Sequence, residues 1–317
     1  MLHASGAPEY APLLQKLREL IPPERILLQA PMALYTTLKV GGPADILVKV
    51  KNAGEIVSLK SLAQTYSVPV MIIGNGSNLL VRDGGIRGLV LRLGEEMSDV
   101  TVKGDTIRAQ AGAPLPAVSR VAARHGLTGL EYACGIPGTV GGGIYMNAGA
   151  YGGELSQVIR EVEAVTPEGE VHTYSKEEMR FSYRHSRIQD EGLCVTSAVF
   201  ALSPGNKEEI WALMKDYARR RSEKQPLECP SCGSTFKRPE GYYAGQLIDE
   251  AGLRGVSVGG AQVSHKHAGF LINTGDATAS DFLSLIAHVQ QTVLFKQGVQ
   301  LMPEVRIVGE DSPLKMV

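Results

Sequence analysis

The sequence predicts an α+β protein of two or three domains, and three observations carry that reading. Its 317 residues exceed what one hydrophobic core usually organises. A β-α-β pattern of modest size opens the chain, and strands of period two follow it. Beyond Gln225-Pro226 a shorter alternation of helices and strands begins, so a domain border is expected there.

In chain order, Leu13, Leu14, Leu17, Leu20 and Ile21 recur at helical spacing, and Pro22-Pro23 stop that helix. Asp45–Val50 is strand-like. A helix should follow from Asn52, with Ile56, Leu59, Leu62 and Ala63 on one face and Asn52 with Glu55 as a capping box. Pro69–Ile73 reads as a short buried strand that runs straight into Gly74-Asn75-Gly76-Ser77-Asn78. Gly88–Leu93, Val100–Val102 and Thr106–Ala109 read as antiparallel strands, and Leu115–His125 as a helix closed by Gly126. Val158–Thr166 and Gly169–Tyr174 suggest a hairpin about Pro167-Glu168, and Cys194–Leu202 a further strand. Asn206–Lys224 is an amphipathic helix with Ile210, Leu213, Met214 and Tyr217 inward. Its Arg219-Arg220-Arg221 and Lys224 suit the negative end of the macrodipole and are read as a solvated helix end. The last unit should hold a helix at Tyr243–Ala251, strands at Val256–Val258 and Gly269–Asn273, a helix at Ser280–Gln297 and a final strand at Gln300–Val308.

Composition narrows the function classes. With 44% hydrophobic and 21% charged residues and a net charge of −1, the chain reads as a globular protein without a nucleic-acid or acidic-membrane surface. Four cysteines do not make a secreted disulfide framework. The opening MLHASGAPEYAP lacks a basic and then apolar leader pattern, and no apolar run approaches the ~18 residues of a membrane span. A cytoplasmic location is expected.

Glycine concentrates in Cys134–Gly153, where eight of twenty positions are Gly. Such a run is useful where a ligand or another backbone must come close, so an anion cradle and a close-packed turn are both open. A second loop, Gly74–Leu79, follows a strand but places Leu79 at the third glycine position of the Rossmann fingerprint, which therefore fails. Its consecutive N–H groups, the Ser77 hydroxyl and the Asn78 amide still suit a diphosphate. No Walker A loop and no Gly-x-Ser-x-Gly elbow is present. Cys229 and Cys232 have metal-ligand spacing, but the available partners, His265 and His267, are poorly spaced for zinc; loop thiols are expected, with a redox pair as the alternative. Tyr183-Arg184-His185-Ser186, after a short helical piece, carries an arginine suited to a carboxylate. Ser234, the pair Lys266-His267 and Glu304 add a hydroxyl, cations and a carboxylate, the makings of acid–base chemistry.

Eight stretches occur together and in one order: TTLKVGGPAD, IIGNGSNLLV, GLEYACGIPGTVGGGIYMNAGAYGGEL, FSYRHSR, GSTFKRP, AGQLIDEAGLRG, VSHKHAGFLIN and PEVRIVG. From about Thr36 to Val308 the chain thereby resembles the UDP-N-acetylenolpyruvoylglucosamine reductase family, the MurB flavoenzymes of peptidoglycan precursor synthesis. The resemblance implies an FAD-binding region of the vanillyl-alcohol-oxidase (PCMH) type, built of two α+β subdomains at 1–88 and 89–206. A smaller α+β substrate domain would take 207–317, its last strand returning toward the active site.

The resemblance further implies non-covalent FAD, NADPH as hydride donor and a UDP-sugar substrate, with no nucleic-acid or membrane partner. Gly74, Asn75, Gly76, Ser77, Asn78 and Leu79 would wrap the FAD diphosphate from one side. Pro137, Gly138, Thr139, Val140, Gly141 and Gly142 would do so from the other, with Asn147, Ala148, Gly149 and Ala150 farther along. By motif, Ser234 matches the proton donor, Arg184 the cation on the substrate carboxylate and Glu304 the acid that helps stabilise the intermediate. Tyr183, Lys237, Arg238 and His267 are candidate substrate contacts. Three departures stand out. The short run from Tyr183-Arg184 to Cys194 lacks the tyrosine-bearing loop of one branch, so the chain resembles the loop-less type II branch. Arg238 replaces the asparagine that often follows the lysine, and Cys229 with Cys232 lies outside the pattern. Another FAD oxidoreductase of the same fold and a non-catalytic nucleotide-sugar-binding protein are the alternatives.

Overall fold

The computed structural model describes residues 10–311; most of the segment read for a leader lies outside the described residues. The described chain packs as two compact units. One comprises 10–28, 46–75 and 88–221, and the other 29–45, 76–87 and 222–311.

The first unit holds a five-stranded antiparallel sheet in the order Val171–Ser175, Ile159–Val165, Cys194–Ala201, Thr106–Gln110, Val100–Lys103. Its middle strand, Cys194–Ala201, is buried at all but its last residue, as expected of a strand covered on both faces. A four-stranded sheet runs in the order Ile26–Pro31, Pro43–Val50, Ile86–Leu93, Val70–Ile73. Here the structure corrects the expected antiparallel setting of Gly88–Leu93: this strand runs parallel to Val70–Ile73, with Val70 opposite Leu89 and Ile73 opposite Arg92. Leu89, Val90 and Leu91 are all fully buried, a continuous apolar run typical of parallel strands, and side-chain period alone does not encode direction. Because this strand intervenes, the two strands of the opening β-α-β unit are not neighbours.

The helix Ala53–Thr65 starts where Asn52 Oδ1 accepts from the Glu55 N–H at 2.9 Å. The capping box is only half formed. Glu55 turns its carboxylate to the Lys51 N–H and, bidentately, to Arg25 at 2.8 Å, which holds its pKa below the usual range despite partial burial. Leu13, Leu14 and Leu17 of the helix Ala11–Leu20 are buried, whereas Leu20 is exposed. In the helix Lys207–Lys224, Ile210 and Met214 are buried beside Ala123, but Leu213 faces solvent and Tyr217 stacks on Tyr151 at 4.5 Å between centroids. These contacts tie the helix up to Arg221 to the first unit, so the packing border at 221/222 lies near the break read at Gln225-Pro226 and away from the 206/207 that the resemblance implied.

The second unit carries a sheet in the order Ser231–Ser234, Phe270–Asn273, Ala261–Val263, Ser257–Val258, with helices Ala244–Glu250 and Ala279–Gln297. Its core joins Leu247, Ile248, Phe282, Leu285 and Val289 to Leu38, Val40 and Leu80, which explains why 29–45 and 76–87 belong here although they are early in sequence. Cys232, expected to be a loop thiol, lies in the irregular strand Ser231–Ser234 paired to Phe270–Asn273. The expected strand Gln300–Val308 is confined to Arg306–Val308, parallel to Leu79–Val81. Ahead of it, Pro303 lacks an N–H for a regular ladder, and makes a single bridge with Phe236.

Candidate functional site

In the first unit, Thr139 caps the short helix Val140–Tyr145 through its Oγ1, which accepts from the Gly142 N–H at 3.4 Å. Most glycines of Cys134–Gly153 answer to packing. A Cβ on Gly141 would lie 3.1 Å from the Ala111 methyl carbon, and one on Gly143 only 2.9 Å from methyls of both Leu115 and Leu155. A Cβ on Gly153 would run into the Tyr132 ring, and one on Gly74 into the Thr139 hydroxyl. Gly142 differs: it is exposed, and its nearest neighbour would be Thr139 Oγ1 at 3.6 Å. The Val140 and Gly141 amides are already spent on the carbonyls of Ala113 and Ala111, each at 2.8 Å. Asn147, at φ +42°, is buried and braces the loop, its Nδ2 donating to the Ser182 carbonyl and its Oδ1 accepting from the Ser156 N–H. Ala148 donates its N–H to Gly143, and Gly149-Ala150 pairs with Gly153-Glu154 in a small hairpin. Asn75 donates to the Pro137 carbonyl at 3.2 Å, joining the two glycine loops within this unit.

Arg184 sits on the same unit, on a tight turn closed by mutual main-chain bonds between Ser182 and His185. The expected helical piece before it is a series of turns. Arg184 has φ +56° and its guanidinium lies 5.1 Å from the Tyr183 ring centroid. Ser186 Oγ and Gln189 Nε2 both donate to the Tyr145 carbonyl, and Gln189 Nε2 also donates to that of Arg184. The turn is therefore anchored to the end of the glycine helix, and only the short helix Arg187–Glu191 separates it from the strand at Cys194.

The basic cluster divides. Arg219 and Arg220 pair with Asp216 on the surface, as a solvated helix end should. Arg221 instead donates to the Gly135 carbonyl at the start of the glycine stretch, and burial lowers its pKa. A run of three arginines marked the region, but only packing singles out the third.

In the second unit, Ser234 ends its strand opposite Phe270 and is exposed. The next residues are zipped to the segment Met302–Val305. The Thr235 carbonyl accepts from the Glu304 N–H at 2.8 Å and the Val305 N–H at 3.3 Å, and Lys237 N–H donates to the Met302 carbonyl at 2.8 Å. Thr235, buried, also donates its N–H to Gly269 and accepts the Leu271 N–H on Oγ1. Asn78 Nδ2 donates to the Glu304 carbonyl at 3.1 Å, and the Arg306 N–H donates to the Asn78 carbonyl at 3.0 Å. Ser234, Lys237, Glu304 and the Gly76–Leu79 half of the first loop are thus held in one neighbourhood. His267 adjoins it, edge-on to Phe270 at 4.8 Å. Arg238 lies 4.0 Å over the exposed Tyr243 ring.

The loop residues fit a dinucleotide diphosphate. Gly76, at φ +60°, has no room for a Cβ, which would strike the Tyr35 carbonyl oxygen. The amides of Gly76 and Ser77 donate to no acceptor among the described residues, so they are available to phosphate oxygens. Thr37, whose N–H donates to the Gly76 carbonyl, was marked in sequence only by its place in TTLKVGG, and Tyr35, whose carbonyl backs Gly76, was not marked at all.

Cys232 is buried in the strand, and burial pushes its thiol up to about 12, so it does not supply the thiolate of a redox pair at neutral pH. Alkylation of the native protein at mildly alkaline pH should therefore modify the half-buried Cys229 and spare Cys232 and Cys194 until unfolding. Peptide mass spectrometry reads this directly; rapid native labelling of Cys232 would contradict it.

Comparison with known proteins identifies the fold and the family. Residues 44–175 match the family described as FAD binding domain. A glucose dehydrogenase, Phl p 4.0202, shares the fold at a TM-score of 0.50 and 16% identity, over 62% of this chain and 44% of its own. The fold class is that of an FAD-binding region of the vanillyl-alcohol-oxidase (PCMH) type, with a smaller C-terminal unit added.

Residues 225–308 match the C-terminal domain of UDP-N-acetylenolpyruvoylglucosamine reductase. The reductase of Levilactobacillus brevis is 55% identical over 92% of this chain and 95% of its own length, and that of Streptococcus uberis 52% over 91% and 95%. The crystal structure of the Thermus caldophilus reductase superposes with a TM-score of 0.77 at 38% identity, covering 89% of this chain and 97% of that one. The chain belongs to the UDP-N-acetylenolpyruvoylglucosamine reductase family.

Proposed function

We propose that this chain reduces the enolpyruvyl ether of UDP-N-acetylglucosamine to UDP-N-acetylmuramate, with NADPH as electron source, in the cytoplasmic synthesis of peptidoglycan precursors. Among the described residues no helix is long and apolar enough to cross a membrane. The observation that carries the reading is the hydrogen-bonded zipper that aligns Ser234 with Glu304 beside Asn78. FAD, once bound and reduced by NADPH, would supply the hydride that the terminal carbon of the enolpyruvyl group takes up. The Gly76 and Ser77 amides, Thr139 and Gly142 are the parts of the two glycine loops assigned to holding it.

The residues of this chain then manage charge and proton. Negative charge develops on the carbon next to the carboxylate and spreads into it; Arg184 is assigned the carboxylate, where a planar guanidinium gains most from delocalised charge. Ser234 Oγ–H gives its proton to that carbon. A serine hydroxyl is a weak acid, so the step needs a nearby cation, and Lys237, three residues on and tied to Met302, is suited to it. Glu304 stabilises the same intermediate. Tyr183 and Arg238 are assigned to substrate contact, and the short Tyr183–Cys194 connection supports the loop-less branch.

A spectral titration tests the whole reading. The purified protein should be yellow, bleach with NADPH, and recover oxidised-flavin absorbance on anaerobic addition of the enolpyruvyl UDP-sugar. Bleaching without recovery would point to another FAD oxidoreductase, and a colourless protein that takes up no FAD would remove the flavin reading.

A further inference from the structure

The loop between the strands Ala261–Val263 and Phe270–Asn273 is pinned from several directions. Ser264 Oγ accepts from the N–H groups of Lys266 at 3.1 Å and His267 at 3.3 Å. Arg254, held by Asp249 at 2.5 and 2.8 Å, donates to the His265 carbonyl at 2.6 Å, and Lys266 Nζ donates to the Ser222 carbonyl at 2.7 Å. The His267 carbonyl takes the Phe270 N–H at 2.9 Å.

Within this frame the imidazole itself is oriented. The Gly269 N–H donates to His267 Nδ1 at 3.1 Å, and the ring packs edge-on against Phe270. A Cβ at Gly269 would come within 3.0 Å of Cε1, and one at Gly245 within 3.3 Å, so two glycines make room for the ring. A nitrogen that accepts a hydrogen bond carries no proton; the proton of a neutral ring is then on Nε2. Phe270, against which the ring rests, is the ladder partner of Ser234.

We infer that His267 serves substrate binding as a neutral donor, its Nε2–H aimed at an anionic oxygen of the UDP-sugar, and supplies neither a positive charge nor a proton. This rests on the proposed reaction and narrows the role of one residue in it. Burial is the largest cause that lowers the pKa of the ring, a hydrogen bond with its own main chain acts against it, and the charged groups acting on it, Arg254 and Lys224, are both cations that lower it further. Carboxylate and diphosphate oxygens share the acceptor chemistry, and two ligands separate them.

The test uses oxidised holoenzyme without NADPH, following flavin absorbance as UDP-N-acetylglucosamine or its enolpyruvyl ether is added. His267→Ala should weaken the enolpyruvyl ligand by roughly 10- to 100-fold, the loss of one hydrogen bond to a charged acceptor. His267→Gln, whose amide N–H can take the Nε2 position, should recover all but a few-fold of that loss. If UDP-N-acetylglucosamine weakens equally, the acceptor is a diphosphate oxygen; if only the enolpyruvyl ligand weakens, it is the carboxylate. Unchanged affinity for both ligands in His267→Ala would overturn the inference. So would wild-type affinity that falls about tenfold per pH unit above ~6.5 and loses this dependence in His267→Gln, the mark of a cation. Should His267→Ala fold poorly, the glutamine variant and the pH profile still decide. Failure of the wild-type enzyme to bleach and recover would instead reject the reaction itself.

Discussion

Replacing Ser234 by Ala is expected to leave reduction of the flavin by NADPH at its normal rate and to slow reoxidation by the enolpyruvyl substrate by about 10²–10⁴-fold, the usual contribution of a positioned proton donor. The change removes one oxygen from an exposed side chain at the end of a strand. The anchoring of this segment comes from Thr235 and Lys237 main-chain groups, which the variant retains. Stopped-flow absorbance separates the two half-reactions. Loss of both would show that Ser234 holds the site together; loss of neither would pass the proton to another group.

Gly76→Ala should release the cofactor. The residue sits at φ +60°, where a side chain costs about 1–2 kcal/mol, and the added methyl would strike the Tyr35 carbonyl oxygen with Thr36 Cα at 3.0 Å. Relief requires the loop to move, and with it the Gly76 and Ser77 amides assigned to phosphate. FAD affinity should fall by at least ~10-fold, read as flavin absorbance per protein after gel filtration, with a lowered thermal midpoint as the sign of strain. Full flavin occupancy at unchanged stability would show that the loop neither needs this conformation nor contacts the diphosphate.

Much of this was legible in sequence, and the reason differs by element. Helices such as Ala53–Thr65 and Ala279–Gln297 are written in local periodicity and caps; Thr278 and Asp281 even complete a capping box. The candidate residues were legible as types in a fixed order along the chain. What was hidden depends on distant partners. Ser231–Ser234 has none of the β-branched composition of a strand and exists because Phe270–Asn273 offers it a ladder. Leu20 and Leu213 fit helical stripes yet face solvent. The resemblance put the helix Lys207–Lys224 in the C-terminal domain, but Ile210 and Met214 found their cover beside Ala123 in the preceding unit.

The sequence by itself determined the fold class, the two glycine loops and the set of groups able to do the chemistry, since these follow from residue type and short-range spacing. The tertiary structure decided which glycines serve packing and which leave backbone bare, a difference set by the Leu115, Leu155 and Tyr132 side chains that close on Gly143 and Gly153 but not on Gly142. It also decided that the residue following Ser234 pairs with Glu304 and that the Gly269 N–H meets His267 Nδ1. Each depends on a main-chain hydrogen bond, from Glu304 to Thr235 and from Gly269 to His267. Buried donors and acceptors must be paired, and which partners meet is settled only when the strands have chosen their neighbours.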